Sequence, residues 1–209
     1  MKAREAVLAR VRDALGRSRH GPPPRPPRAY RTTSDLPVGA AVELLVERLV
    51  DYRARVHRCV PQEVAAHVGR LTAQAGSVVV PEGLERAWLA QVTAQVRTDS
   101  SAAPLSHAEL DAVDAVVTAA RVAVAETGTI VLDGGPDQGR RAISLVPDHH
   151  VCVLRAEQVV ATVPEAVAVL DPTRPLTWIA GPSATSDIEL VRVEGVHGPR
   201  TLDVVVTGG

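Results

Sequence analysis

Short apolar runs rich in valine recur along this chain and alternate with stretches of helical periodicity, and no other feature restricts the fold as much. Residues 77–80, 116–117, 129–132, 142–146, 151–154, 178–180 and 202–206 read as strands. Between them lie helix signals. Val42, Leu45, Val46, Leu49 and Val50 share one side of a helix from near Leu36 toward Arg53, and Pro61 opens a helix carrying Val64, Val68 and Leu71 that Gly76 ends. Two S-x-x-E or T-x-x-E capping boxes, Ser106 with Glu109 and Thr162 with Glu165, start two more, the second running through Leu170. Strands this short and this apolar are buried on both faces, which predicts an α/β fold: a layered, largely parallel sheet flanked by helices. Such sheets collect ligands outside the carboxyl ends of their strands.

The core of such a sheet must be built here without phenylalanine. The chain has none, and its 45% apolar content is mainly Val, Leu, Ala and Ile. Its 209 residues suffice for one domain plus an arm. The arm is predicted over residues 1–35. Ala3, Val7, Leu8, Val11 and Leu15 recur at helical spacing up to Gly16, and Pro22, Pro23, Pro24, Pro26 and Pro27 then favour an extended polyproline linker. The α/β domain occupies residues 36–209. A scaffold role, with the first helix docking a partner, is one function this layout allows.

Charge and cysteine content exclude several others. The net charge of −1 supplies no general attraction to nucleic acid. Two cysteines, Cys59 and Cys152, are too few for an iron–sulfur cluster or a Cys-rich zinc site, so no cofactor is expected on this chain. No apolar run reaches the roughly 18 residues of a membrane span, and the first residues mix Glu5 and Asp13 with basic side chains, unlike a signal peptide; the expected location is cytoplasmic. The dinucleotide, P-loop and nucleophile-elbow signatures are missing.

Five stretches between Glu126 and Pro199 carry the candidate chemistry. In Glu126-Thr127-Gly128-Thr129 a carboxylate sits at a glycine-relieved turn, where Glu126 can act as base or nucleophile and Thr127 and Gly128 can meet a ligand. Arg140 and Arg141 lead into the predicted strand 142–146 as a fork for an acid or phosphate, behind a Gly134-Gly135-Pro136 loop free to cover it. In Gly181-Pro182-Ser183-Ala184-Thr185-Ser186-Asp187 a strand is predicted to turn into a helix, whose open N–H groups, with Ser183, Thr185, Ser186 and Asp187, suit an anion. His197 is a candidate acid, and Asp148-His149-His150 precedes a strand on which neighbouring imidazoles point to opposite faces, so no metal site is expected.

Taken in order, Ala125-Glu126-Thr127-Gly128-Thr129, Ser144-Leu145-Val146-Pro147-Asp148-His149, Gly181 through Glu189 and Gly195-Val196-His197-Gly198-Pro199 resemble the LUD domain of LutC/YkgG lactate-utilisation proteins. The resemblance implies a fold similar to ribose-phosphate isomerases and CoA transferases. It also implies a part in oxidising L-lactate to pyruvate, beside LutA-like and LutB-like subunits that carry the iron–sulfur clusters, with this chain holding a small carboxylate or serving as an accessory subunit. The alternative is an isomerase or acyl/CoA transferase with Glu126 as base or nucleophile.

Overall fold

The computed structural model describes residues 3–16, 26–27, 29–185, 193–194 and 198–208, and divides the chain into two compact units, Met1–Tyr30 and Arg31–Gly209. The first contains α1 (Ala3–Gly16), a helix where the sequence predicts one, with Val7, Val11 and Leu15 exposed. Most of the proline tract lies outside the described residues.

The second unit opens with α2 (Val38–Asp51), whose buried Ala41, Val42, Leu45 and Leu49 form the stripe that the 3.6-residue period requires. β1 (Arg55–Cys59), a 3-10 turn at Pro61–Glu63, α3 (Val64–Leu71), β2 (Ser77–Pro81), β3 (Gln95–Asp99), α4 (His107–Asp111) and β4 (Ala115–Ala119) follow. Next come β5 (Val122–Val124), β6 (Thr129–Leu132), α5 (Arg141–Leu145), β7 (His149–Arg155), β8 (Val159–Val160) and α6 (Val163–Val169). The chain closes with β9 (Thr177–Ile179), β10 (Ala184–Thr185), β11 (Val193–Glu194) and β12 (Thr201–Thr207). Both capping boxes form: Glu109 accepts the Ser106 N–H and Glu165 the Thr162 N–H, each at 2.8 Å, which occupies backbone donors that a helix start leaves open.

Six strands pair in parallel in the order β1-β12-β7-β4-β2-β3. On one face Val78, Val117, Val151 and Val205 pack under α3 and Trp88. On the other, Cys152, Leu154, Val204 and Val206 pack under α2 and a second sheet ordered β8-β5-β6-β9, in which β6 runs antiparallel to both neighbours. The outer face of this small sheet, Val122, Val124 and Val131, is covered by Ala166 and Leu170 at α6. Small aliphatic side chains thus fill thin layers, and a phenylalanine-free chain closes its core.

Two predicted elements change type. Residues 142–146, expected as a strand, lie in and just after α5, where the Val146 N–H donates to the Ala142 carbonyl at 3.1 Å. Five apolar residues are too few to distinguish the two periods, and Ile143 settles the matter by burying against Val79, Leu110, Val113 and Val116. The expected helix start after Ser183 is instead β10, which pairs antiparallel with β11.

Candidate functional site

The chain leaves β2 toward β3 at one edge and β4 toward β7 on the other side, so the switch point of the parallel sheet lies between the carboxyl ends of β2 and β4. That crevice is filled by the protein's own glycine-rich loop. The Gly83 N–H donates to the Pro136 carbonyl and the Ala119 N–H to the Asp137 carbonyl, both at 2.9 Å, while Gln138 Oε1 accepts the Asp133 N–H at 2.7 Å. The loop predicted to cover a ligand is a plug stitched to two strand ends. Cavities of about 440 and about 720 Å³ flank it and share Pro136 and Arg174.

The arginines at this end are already engaged. Arg140 donates from Nε and Nη2 to the buried Asp99 carboxylate at 3.0 and 2.8 Å, and also to the Leu105 carbonyl. Hydrogen bonding to Asp99 raises its pKa further, against the effect of burial. Arg174 lies 3.1 Å from the buried Asp133 carboxylate. The predicted fork therefore clamps an internal acid: Arg140 is structural, and Arg141 is an exposed residue at the start of α5.

At the amino end of β7 and β12 the situation reverses. His149 and His150 point to opposite faces, as neighbours on a strand must. His150 is fully buried on the α2 face, with Nε2 2.8 Å from Thr118 Oγ1, while its Nδ1 is buried and has no hydrogen-bond partner among the described residues. Burial, with a smaller contribution from His149, pushes its pKa down to about 3, so the ring is neutral at physiological pH. It lies in the wall of a cavity of about 350 Å³ whose other walls include Ser144, Trp178, Ser183, Pro199 and Leu202. No Lys or Arg lines it among the described residues.

His149, on the α3 face, belongs to a second cluster. The carboxylate of the fully buried Asp203 takes His57 Nε2 and His149 Nε2, each at 2.7 Å, and Arg55 at 2.5 Å. Burial alone would raise the Asp203 pKa, but the two imidazole bonds and the Arg55 charge outweigh it and hold the carboxyl below its usual range. Neither His57 nor Asp203 stood out from the sequence, although an aspartate inside the apolar run Leu202-Asp203-Val204-Val205-Val206 is a signal for a paired buried charge. Among the described residues no group of three His, Cys, Asp or Glu is placed to hold a metal ion.

Three of the four sequence blocks meet at the His150 cavity: Ser144-Leu145 at the end of α5, Gly181-Pro182-Ser183 after β9, and Gly198-Pro199 before β12. The Ser183 N–H donates to the Pro199 carbonyl at 2.8 Å, tying the second block to the third. The fourth block lies beside them. Because Ile130 pairs with Ile179 antiparallel, continuing that register brings Gly128 opposite Gly181, and both turn with positive φ against the last turn of α2. A Cβ on Gly128 would lie 2.6 Å from the Arg48 Cβ, and one on Gly181 would collide with the Tyr52 carbonyl. Glycine is thus required twice by close approach as well as by φ.

The remaining candidates divide clearly. Glu126 lies at the β5–β6 turn in an ion pair with Arg31 and is not in the cavity wall, and the Thr127 hydroxyl bonds to Thr129 at 2.9 Å. The side chain of Thr185 and the whole of Ser186, Asp187 and His197 lie outside the described residues.

An α/β domain with a plugged carboxyl end and a histidine-walled cavity at the amino end is the class of protein defined by this geometry. The LUD domain model matches residues 42–207, and the chain belongs to that family. It is 44% identical to Lactate utilization protein C of Deinococcus radiodurans over 99% of this chain and 96% of the relative, and 29% identical to Lactate utilization protein C of an Exiguobacterium species over 97% and 95%. A crystal structure of a DUF162-family protein from Deinococcus radiodurans superposes with a TM-score of 0.71 at 42% identity, covering 83% of this chain and 99% of that one. Among the described residues no helix is long and apolar enough to cross a membrane.

Proposed function

We propose that the protein is a component of lactate utilisation, an accessory subunit in the oxidation of L-lactate to pyruvate whose electrons pass through iron–sulfur clusters on partner subunits, and that it takes a small-molecule ligand in the His150 cavity. The observation carrying the ligand site is the buried Nδ1 of His150, which among the described residues lacks a partner in a wall where every lost hydrogen bond costs stability. The names of the relatives support the pathway. The cysteine count supports placing the clusters elsewhere: this chain has two, Cys59 and Cys152, where a cluster takes four thiolates. A neutral imidazole paired with a hydroxyl suits holding an uncharged oxygen more than abstracting a proton, which favours an accessory role over catalysis by this chain.

The test is co-expression with LutA-like and LutB-like cluster-bearing subunits, followed by L-lactate-dependent dye reduction with and without this chain. The expected result is co-purification and a rate that depends on the chain. An undiminished rate in its absence, with no co-purification, overturns the reading.

A further inference from the structure

Resting on the reading that the His150 cavity holds a ligand, we infer that this ligand is uncharged where it meets the protein: a small, largely apolar alcohol or its carbonyl counterpart, whose single oxygen bonds to His150 Nδ1.

Among the described residues the cavity wall carries one fully buried polar side-chain atom without a hydrogen-bond partner, the hydroxyls of Thr177 and Ser183, and no charged side chain. The Ser144 hydroxyl already donates to the Arg141 carbonyl at 3.1 Å, the Ser183 N–H is taken by Pro199, and Leu145, Trp178, Ile179, Pro182 and Leu202 make the wall apolar. A carboxylate or phosphate turned inward against His150 would give up hydration with no cation among the described wall residues to replace it, which disfavours a charge at that point. Among the described residues, Arg140 and Arg174 lie at the other end of the sheet bound to Asp99 and Asp133, while at this end Arg55 is taken by Asp203 and Arg200 lies beside Asp148. With a volume of about 350 Å³ the cavity stands at the small end of the range for small-molecule sites.

The His150–Thr118 pair explains why either oxidation level of the ligand fits. With Nε2–H donating to Thr118 Oγ1, Nδ1 is an acceptor and takes the O–H of an alcohol. With the Thr118 hydroxyl turned to donate to Nε2, Nδ1–H is a donor and takes a carbonyl oxygen. The heavy atoms need not move, since the hydroxyl hydrogen rotates and the 2.8 Å contact serves both tautomers. Burial, which keeps the ring neutral, preserves this choice.

The experiment follows the ring-nitrogen NMR resonances of His150 in the whole protein while adding 1-phenylethanol, acetophenone, ethylbenzene, L-lactate or pyruvate. The alcohol and the ketone should bind and move the Nδ1 resonance in opposite directions, and ethylbenzene should bind about tenfold more weakly, the worth of one buried hydrogen bond. L-lactate and pyruvate should leave the resonance unmoved. Anions that bind as tightly as the neutral probes and shift Nδ1 overturn the inference, and so does a resonance that none of the probes moves. His150→Phe should abolish the preference for oxygen-bearing probes over ethylbenzene. Dependence of lactate oxidation on the chain is a separate readout, so failure of the probes and failure of the lactate role are distinguishable.

Discussion

The two ends of the parallel sheet use similar side chains in opposite ways. At the carboxyl end, where α/β sheets usually receive ligands, the buried acids Asp99 and Asp133 are matched by Arg140 and Arg174, and a glycine-rich loop closes the crevice. At the amino end, His150 Nδ1 has no partner among the described residues and lies beside a cavity, while two residues into β12 Asp203 binds three partners at once. Location in the fold therefore says less about where chemistry can occur than whether the polar groups there have already satisfied each other.

The sharpest way to break this comparison is at Asp203. Asp203→Asn leaves Arg55 without its carboxylate and removes the acceptor shared by His57 and His149, and should destabilise the protein by about 3–5 kcal/mol in urea unfolding. A loss under 1 kcal/mol would mean that the cluster is solvated and the amino end is no more buried than the surface. Arg140→Ala should cost less, about 1–3 kcal/mol, because water can reach the Arg140 side of the pair while Asp99 stays buried. If it instead matched Asp203→Asn, the carboxyl end would be the more highly coupled of the two.

Acid titration separates the groups further. Since the folded His150 pKa lies near 3, below the unfolded value of about 6.5, the unfolded chain binds the extra proton between those limits, and stability falls as the pH drops through that window. The slope from this one residue is at most about 1.4 kcal/mol per pH unit. The difference between wild type and His150→Phe, followed by urea unfolding from pH 7 to 4.5, should show it, and parallel stability curves would mean that the ring is not buried neutral. Asp203, whose carboxyl is depressed, adds acid sensitivity of the same sign only below about pH 4, where unfolded aspartates begin to protonate. The smallest effect belongs to the arm. Deleting residues 1–30 should change stability by less than about 0.5 kcal/mol, because α1 contributes no buried residue, and a larger loss would place it in the core.

Much of the framework can be read directly from the chain. The α2 stripe, both capping boxes and the valine runs of β2, β4, β7 and β12 are set within a few residues by periodicity and side-chain chemistry. The edge strands β1 and β3 escaped because Arg55-Val56-His57-Arg58-Cys59 and Gln95-Val96-Arg97-Thr98-Asp99 face solvent enough to be polar. The run 142–146 misled because its length suits either period. Of the candidate site, the blocks were visible but their partners were not, as Arg140 shows: a fork in the sequence is free until Asp99, 41 residues away, fills it.

What the sequence determined by itself was therefore local: where helices start, which runs are apolar enough to be strands, and that a core without phenylalanine calls for thin layers. The tertiary structure alone decided that β6 and β9 leave the parallel sheet, that Gly128 and Gly181 both close against the end of α2, and that His150 finds Thr118 at a separation of 32 residues while Asp203 finds His57 at 146. Capping and periodicity act over one or two turns of chain. The pairing of buried polar groups depends on strand register, and register is settled only when the whole sheet closes on its core.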